Sequence, residues 1–122
     1  MRILVVDDSG TMRHIQRKAL GDLGCTDVVE AADGELALKA VGAGKFDLIL
    51  LDWNMPNLSG IEALKRLKTH PDHQAIPVIM VTSEADKSHI LEAIQAGAAN
   101  YLLKPYSLDT LKEKLSPYLA RK

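Results

Sequence analysis

Residues 2–8 read Arg2-Ile3-Leu4-Val5-Val6-Asp7-Asp8, and residues 48–52 read Leu48-Ile49-Leu50-Leu51-Asp52. In each, an unbroken run of aliphatic residues stops on an acid. Such runs predict strands covered on both faces, as in a parallel sheet between two helical layers. A carboxylate at the end of a buried strand is costly unless something positive lies beside it. If the two strands are neighbours, Asp7, Asp8 and Asp52 meet at one edge of the sheet. At ~4 Å and an effective dielectric of ~20, each like-charge pair repels by about 4 kcal/mol. A divalent cation or a shared proton relieves that repulsion.

Working outward, apolar segments at residues 2–6, 27–31, 46–51, 76–81 and 100–103 alternate with helical patterns. The second segment alternates in polarity and the fifth is short, so both are expected at sheet edges. The first helix is expected over residues 10–23, with Ile15, Ala19 and Leu23 inward and Gly24 as its stop. The second begins at Asp33 as N-cap, with Ala37 and Val41 inward and Leu36 exposed. Ser59 caps a third, with Ile61, Leu64 and Leu67 facing the sheet and Pro71 beyond its end. The fourth covers residues 86–96 and stops at Gly97. Ser107 caps the fifth, whose stripe is Leu108, Leu111 and Leu115, and Pro117 is expected to kink or end it early.

Strict β-α repetition predicts parallel strands, right-handed crossovers and a doubly wound α/β sheet in one domain. Ligands of such sheets bind outside the carboxyl ends of the strands. Asp7, Asp8, Asp52, Thr82 and Lys104 all fall there.

Bulk properties narrow the function classes. With 15 basic against 16 acidic residues and a net charge of −1, no basic excess points to nucleic acid or an anionic membrane. No apolar run approaches the ~20 residues of a membrane span, and the N-terminus does not resemble a signal peptide. The single Cys25 has no internal partner and fits a reducing, cytoplasmic setting. Trp53 is expected as a partly exposed cover on the loop after Asp52. His70 and His73, around Pro71, are expected as surface histidines rather than metal ligands.

Three acids supply hard oxygen ligands suited to Mg²⁺, which retains waters and takes few carboxylates. Lys104 supplies a mobile cation for a phosphoryl oxygen and Thr82 a hydroxyl. No His, Cys or Glu is placed as a general base. A carboxylate nucleophile needs none, which favours an aspartyl phosphate over direct hydrolysis.

The Asp7-Asp8 pair, Asp52, the loop Trp53-Asn54-Met55-Pro56-Asn57-Leu58-Ser59-Gly60, the turn Thr82-Ser83-Glu84-Ala85 and Lys104-Pro105 together resemble a response-regulator receiver domain. The likeness covers essentially the whole chain and is strongest to the stand-alone chemotaxis regulators. It implies a flavodoxin-like five-stranded sheet of order 2-1-3-4-5, an order that periodicity alone does not supply. It also implies that Asp52 accepts a phosphoryl group from a histidine kinase. Mg²⁺ would be held by Asp8, Asp52 and the Asn54 carbonyl, with Asp7 acting through water. Thr82 and Lys104 would contact the phosphoryl oxygens, and a cis peptide before Pro105 would aim the lysine. Asn54 and Glu84 would tune hydrolysis, and Tyr101 would swing inward as Thr82 moves.

The implied partner surface spans helix 4, strand 5 and helix 5, with Ala85, Lys87, Ile90, Tyr101, Leu103 and Lys114. Its target would be the flagellar switch, with an auxiliary phosphatase as a further partner, and the chain would act as a cytoplasmic monomer without an effector domain. Met12, His14 and Ile15 on helix 1 are candidate kinase-docking positions. Pro117, where the chemotaxis regulators carry lysine, is a departure that weakens the flagellar assignment, and Leu36, where they carry an acid, is another that would mark a different contact. A phosphorelay intermediate is the alternative within signalling. A haloacid-dehalogenase-type phosphatase is disfavoured because its two aspartates sit two apart, and Asp7 and Asp8 are adjacent. A flavin carrier would need a phosphate loop where the two acids stand.

Overall fold

The computed structural model describes residues 1–53, 55, 58–82, 87–104 and 106–119, with the side chains of Lys87, Ser88 and Leu119 left aside. Strands and helices alternate: β1 (Arg2–Val6), α1 (Gly10–Asp22), β2 (Asp27–Ala31), α2 (Gly34–Ala43), β3 (Leu48–Asp52), α3 (Gly60–Thr69), β4 (Val78–Thr82), α4 (Lys87–Gln95), β5 (Asn100–Leu103) and α5 (Leu108–Leu119). The strands form one parallel sheet in the order β2-β1-β3-β4-β5. This is the expected flavodoxin-like, doubly wound arrangement, with β2 and β5 at the edges.

The period-2 alternation of side chains sorts the core into two layers. Ile3, Val5, Leu48, Leu50, Ile79, Val81 and Leu102 face Leu20 of α1 and Leu111 and Leu115 of α5. Leu4, Val6, Ile49, Leu51, Val78 and Met80 face α2, α3 and α4 through Ala37, Val41, Ile61, Leu64, Leu67 and Ala93. Each fully buried aliphatic side chain contributes ~1.5–3 kcal/mol relative to exposure.

Polar side chains set the helix starts. The Oγ of Ser9 accepts from the Met12 N–H, Asp33 Oδ1 from Leu36, Ser59 Oγ from Glu62 and Ser107 Oγ from Thr110. At the end of α4, Gly97 adopts φ +107°. A Cβ there would also meet the Lys68 side chain, so the stop requires glycine on two counts.

Several expectations are corrected. β3 and β4 each start two residues later than their apolar runs, because Phe46 and Ile76 pack on the core before the ladder begins. Both strands then include their terminal polar residue, Asp52 or Thr82. The buried stripe of α1 is Gln16 and Leu20, and Ile15 is half exposed. A polar residue on the inward face had displaced the apolar reading by one position. Leu108, in the first turn of α5, is nearly half exposed, whereas Leu111 and Leu115 are buried. α5 runs through Pro117 to Leu119. Pro117 and Glu113, the residue whose carbonyl loses its helical partner, are both exposed, so water can replace the missing N–H. Trp53 is buried rather than partly exposed. Its N–H continues the ladder onto the Val81 carbonyl, and its ring meets His89 edge-on at 5.0 Å.

The start of α3 is pressed against the end of β3. The Gly60 N–H donates to the Trp53 carbonyl at 2.8 Å, and a Cβ on Gly60 would lie on the Asp52 carbonyl and 2.8 Å from the Trp53 Cα. Gly60→Ala is therefore expected to lower stability by about 2 kcal/mol or more. Gly42→Ala in α2, where the Cβ meets nothing within 4 Å, is expected to raise it by ~0.5–1 kcal/mol. Urea denaturation midpoints of the two variants check both signs.

Candidate functional site

Three strands deliver acids or a hydroxyl to one edge. β1 ends at Val6 and passes directly into Asp7 and Asp8, β3 ends in Asp52, and β4 ends in Thr82. β5 ends at Leu103, and the Lys104 N–H extends its ladder onto the Thr82 carbonyl at 2.8 Å. The five polar residues singled out at strand ends therefore do share one edge. Asp7, Asp52 and Thr82 are buried, and Asp8 is exposed.

The three carboxylates each present an oxygen within 4.8 Å of the others. Lys104 Nζ donates to Asp7 Oδ2 at 2.9 Å and to Asp52 Oδ1 at 3.0 Å. Asp7 does not cap α1, since Ser9 does. Instead Asp7 Oδ1 accepts from the Ser9 N–H at 2.9 Å. Fully ionised, three acids against one ammonium leave two negative charges in the cluster. The donor set is all oxygen, partly buried and short of positive charge. It fits a hard divalent cation that keeps some of its water.

The same geometry shifts protonation equilibria. Burial pushes the Asp52 carboxyl above the usual carboxylate range; the Lys104 bond opposes that, and the charges of Asp7 and Asp8 add to it. For Lys104, burial alone would lower the value, but the bonds to Asp7 and Asp52 outweigh it and hold the ammonium above its ordinary range. Two residues beyond Lys104, the Tyr106 phenol is pushed up to about 12, first by burial and then by the charge of Asp7. The Gln16 amide faces that phenol and pulls the other way, although no hydrogen bond of good geometry joins them.

Asn54, Glu84, Ala85 and Pro105, with the side chain of Lys87, lie outside the described residues, and so do the expectations placed on them. Tyr101 is half-buried, and the Lys114 ammonium sits 4.6 Å from its ring centroid. Register pairs Met80 with Tyr101 and Thr82 with Leu103, which puts Thr82 and Tyr101 on the same face of the sheet. Ile90 and Leu103, placed on the implied partner surface, are half-buried. The sequence reading missed Leu91 and Ile94 of α4, which are exposed. Their signal was a short helix with more apolar residues than one buried face can use. It also missed Arg13, which donates to the Asp7 carbonyl at 2.7 Å. The stacked His70 and His73 rings belong to the turn after α3, away from the acids. Among the described residues, no helix is long and apolar enough to cross a membrane.

The response regulator receiver domain family matches residues 3–116. The chain is 45% identical over 121 residues to the chemotaxis protein CheY-3 of Vibrio cholerae, covering 99% of this chain and 93% of that one. It is 44% identical to the chemotaxis protein CheY of Pseudomonas aeruginosa, covering 99% and 98%. Among solved structures, the receiver domain of a sensor histidine kinase from Pseudomonas aeruginosa superposes with a TM-score of 0.88 at 28% identity, covering 98% of this chain and 97% of that one. That relative was solved with a magnesium ion coordinated in its active-site cleft.

The raised Asp52 value has a consequence for stability. Below the ordinary carboxylate value Asp52 is protonated in both states and costs nothing. Above its raised value the folded state carries a charge it disfavours, so stability falls as pH rises through that window. Asp52→Asn is therefore expected to stabilise the metal-free protein at pH 7 by on the order of 1 kcal/mol. The gain should vanish near pH 3, as measured by thermal unfolding across pH.

Proposed function

The chain belongs to the response regulator receiver domain family, and from that premise we propose that it is a phosphorelay response regulator of the CheY type, phosphorylated on Asp52 by a histidine kinase. The observation that carries this reading is the buried Asp52 carboxylate, set within 4.8 Å of two further acids and bonded to Lys104.

In this reading a carboxylate oxygen of Asp52 forms a P–O bond as the N–P bond of a donor phosphohistidine breaks. The electron pair stays on the departing imidazole, which takes up a proton. Asp7, Asp8 and Asp52, with the carbonyl of Asn54, would hold Mg²⁺. Bound there, the ion supplies charge neutralisation for the acids and the incoming phosphoryl oxygens. Lys104 already reaches the Asp52 carboxylate, so a modest turn of its ammonium would meet those oxygens. The Thr82 hydroxyl would supply a second donor. Asn54 and Glu84 would tune hydrolysis of the acyl phosphate, as the family likeness suggests.

Output would pass through the face of α4, β5 and α5. Thr82, drawn toward the phosphoryl group, would open space for Tyr101 on the same sheet face. A complete switch from 1:99 to 99:1 needs ~5.5 kcal/mol of differential stabilisation. Ala85, Lys87, Ile90, Leu103 and Lys114 would form the contact surface. The family likeness suggests chemotaxis, with the flagellar switch as target and an auxiliary phosphatase ending the signal. Residues 1–122 would act as one receiver unit in the cytoplasm, as a monomer signalling by protein contact rather than as a turnover enzyme.

Intact-mass spectrometry after incubation with acetyl phosphate and Mg²⁺ is expected to show a single adduct of about 80 Da, the mass of the phosphoryl group in its acid form. Asp52→Asn should abolish it. Repeated turnover of varied phosphomonoesters would argue for a phosphatase instead. Mg²⁺ at 100 times its dissociation constant is expected to stabilise the protein by about 2.7 kcal/mol. Asp8→Asn should remove most of that gain in a thermal shift.

A further inference from the structure

Asp7 is held by its backbone as well as by its carboxylate. Its N–H donates to the Ala31 carbonyl at 3.1 Å, just past the end of the β1–β2 pairing. Its carbonyl accepts from Arg13 Nη1 at 2.7 Å. The same guanidinium donates through Nε to Glu30 Oε1 at 3.1 Å, and Arg17 Nη1 donates to Glu30 Oε2 at 2.9 Å. One carboxylate on β2 is thus shared by two arginines, one turn apart on α1. The nearer arginine bends back over the start of its own helix, where a Cβ on Gly10 would lie 3.5 Å from its Nη2.

That placement runs against a simple electrostatic preference. A cation over the first turn faces the positive end of the helix dipole. Glu30 and the Asp7 carbonyl compensate. Glu30 is held below the usual carboxylate range, first by the hydrogen bond from Arg17, with burial opposing and Arg13 adding to the effect. Both peptide groups of Asp7 are therefore indexed to β2, directly by hydrogen bond on one side and through Arg13 and Glu30 on the other.

We propose that Arg13 is a positioning residue for the divalent-cation site, clamping the Asp7 backbone so that Asp7 and Asp8 converge on Asp52, with Glu30 and Arg17 fixing its guanidinium. The inference rests on the cation-binding reading of the acid cluster. Arg13 acts on that site in two opposed ways. As a charge it repels a cation, and as a clamp it preorganises the ligands. The two effects predict opposite signs on substitution.

The experiment is a Mg²⁺ titration of the full chain by calorimetry, comparing wild type with Arg13→Lys and Arg13→Gln. The lysine keeps the charge but cannot hold Glu30 and the carbonyl together with the same planar fork. Both variants are expected to bind Mg²⁺ about tenfold more weakly, a loss typical of removing a group that orients metal ligands. Glu30→Gln should weaken binding by a smaller factor. Amide hydrogen exchange at Ser9, whose N–H donates to Asp7, should accelerate in both Arg13 variants while core amides of β3 stay protected. That separates loss of positioning from global destabilisation. Unchanged affinity in Arg13→Lys, or tighter binding in Arg13→Gln, would show that the arginine acts as a charge alone and would overturn the proposal. A wild-type chain that binds no Mg²⁺ would sink the cation reading and this inference together.

Discussion

The ammonium of Lys104 is bonded to two buried acids from different strands, Asp7 beyond β1 and Asp52 at the end of β3. Without it, three carboxylates would crowd one sheet edge with no described ammonium or guanidinium bonded to their side chains. With it, part of the repulsion is offset, and the negative charge that remains would favour the divalent cation of the proposed function. The pair geometry thus sets a competition. In the proposed function, a cation held by the three acids would take over part of the neutralisation Lys104 now provides, and the ammonium would then be available to an anion. Buried ion pairs rarely add net stability, because desolvation offsets the attraction. The two partners differ on this point: burial outweighs the bond for Asp52, whereas for Lys104 the bonds outweigh burial, so the shortfall in neutralisation falls on the acids.

The scaffold makes that cluster repeatable. Parallel strands of matched length end at one edge, and each of the central strands is sealed on both faces by aliphatic side chains. The polar residue that follows each apolar run has nowhere to go but the rim. α3 is packed so closely on the last residues of β3 that only a glycine fits at its start. The Asp52 backbone therefore has little freedom, and the acceptor role proposed for its carboxylate would benefit from that rigidity.

Much of this was legible in the sequence, and the reasons differ from residue to residue. The central strands and the acids at their ends could be read because burial on both faces leaves a continuous apolar run with an abrupt polar stop. Asp33, Ser59 and Ser107 could be read as caps because the chemistry of a helix start is local. The strand order came from family likeness, since periodicity does not say which strand lies beside which. The α1 face was misread because Gln16, a polar residue, occupies the buried stripe. Trp53 was misread because its burial depends on His89 and the core across the sheet. The Arg13 contact was invisible because its partner is a backbone carbonyl, which carries no sequence signature.

The bond between Lys104 and Asp7 joins residues 97 positions apart. During synthesis, β1, β2 and β3 are available long before the lysine exists, and any early pairing of β1 with β3 brings the acids together unneutralised. Docking of β5 brings the ammonium that offsets this repulsion, so the last strand to emerge completes the neutralisation of the acid that follows the first. Such long-range closure slows folding and makes it more concerted, because the early half of the sheet has an electrostatic reason to wait for the late half.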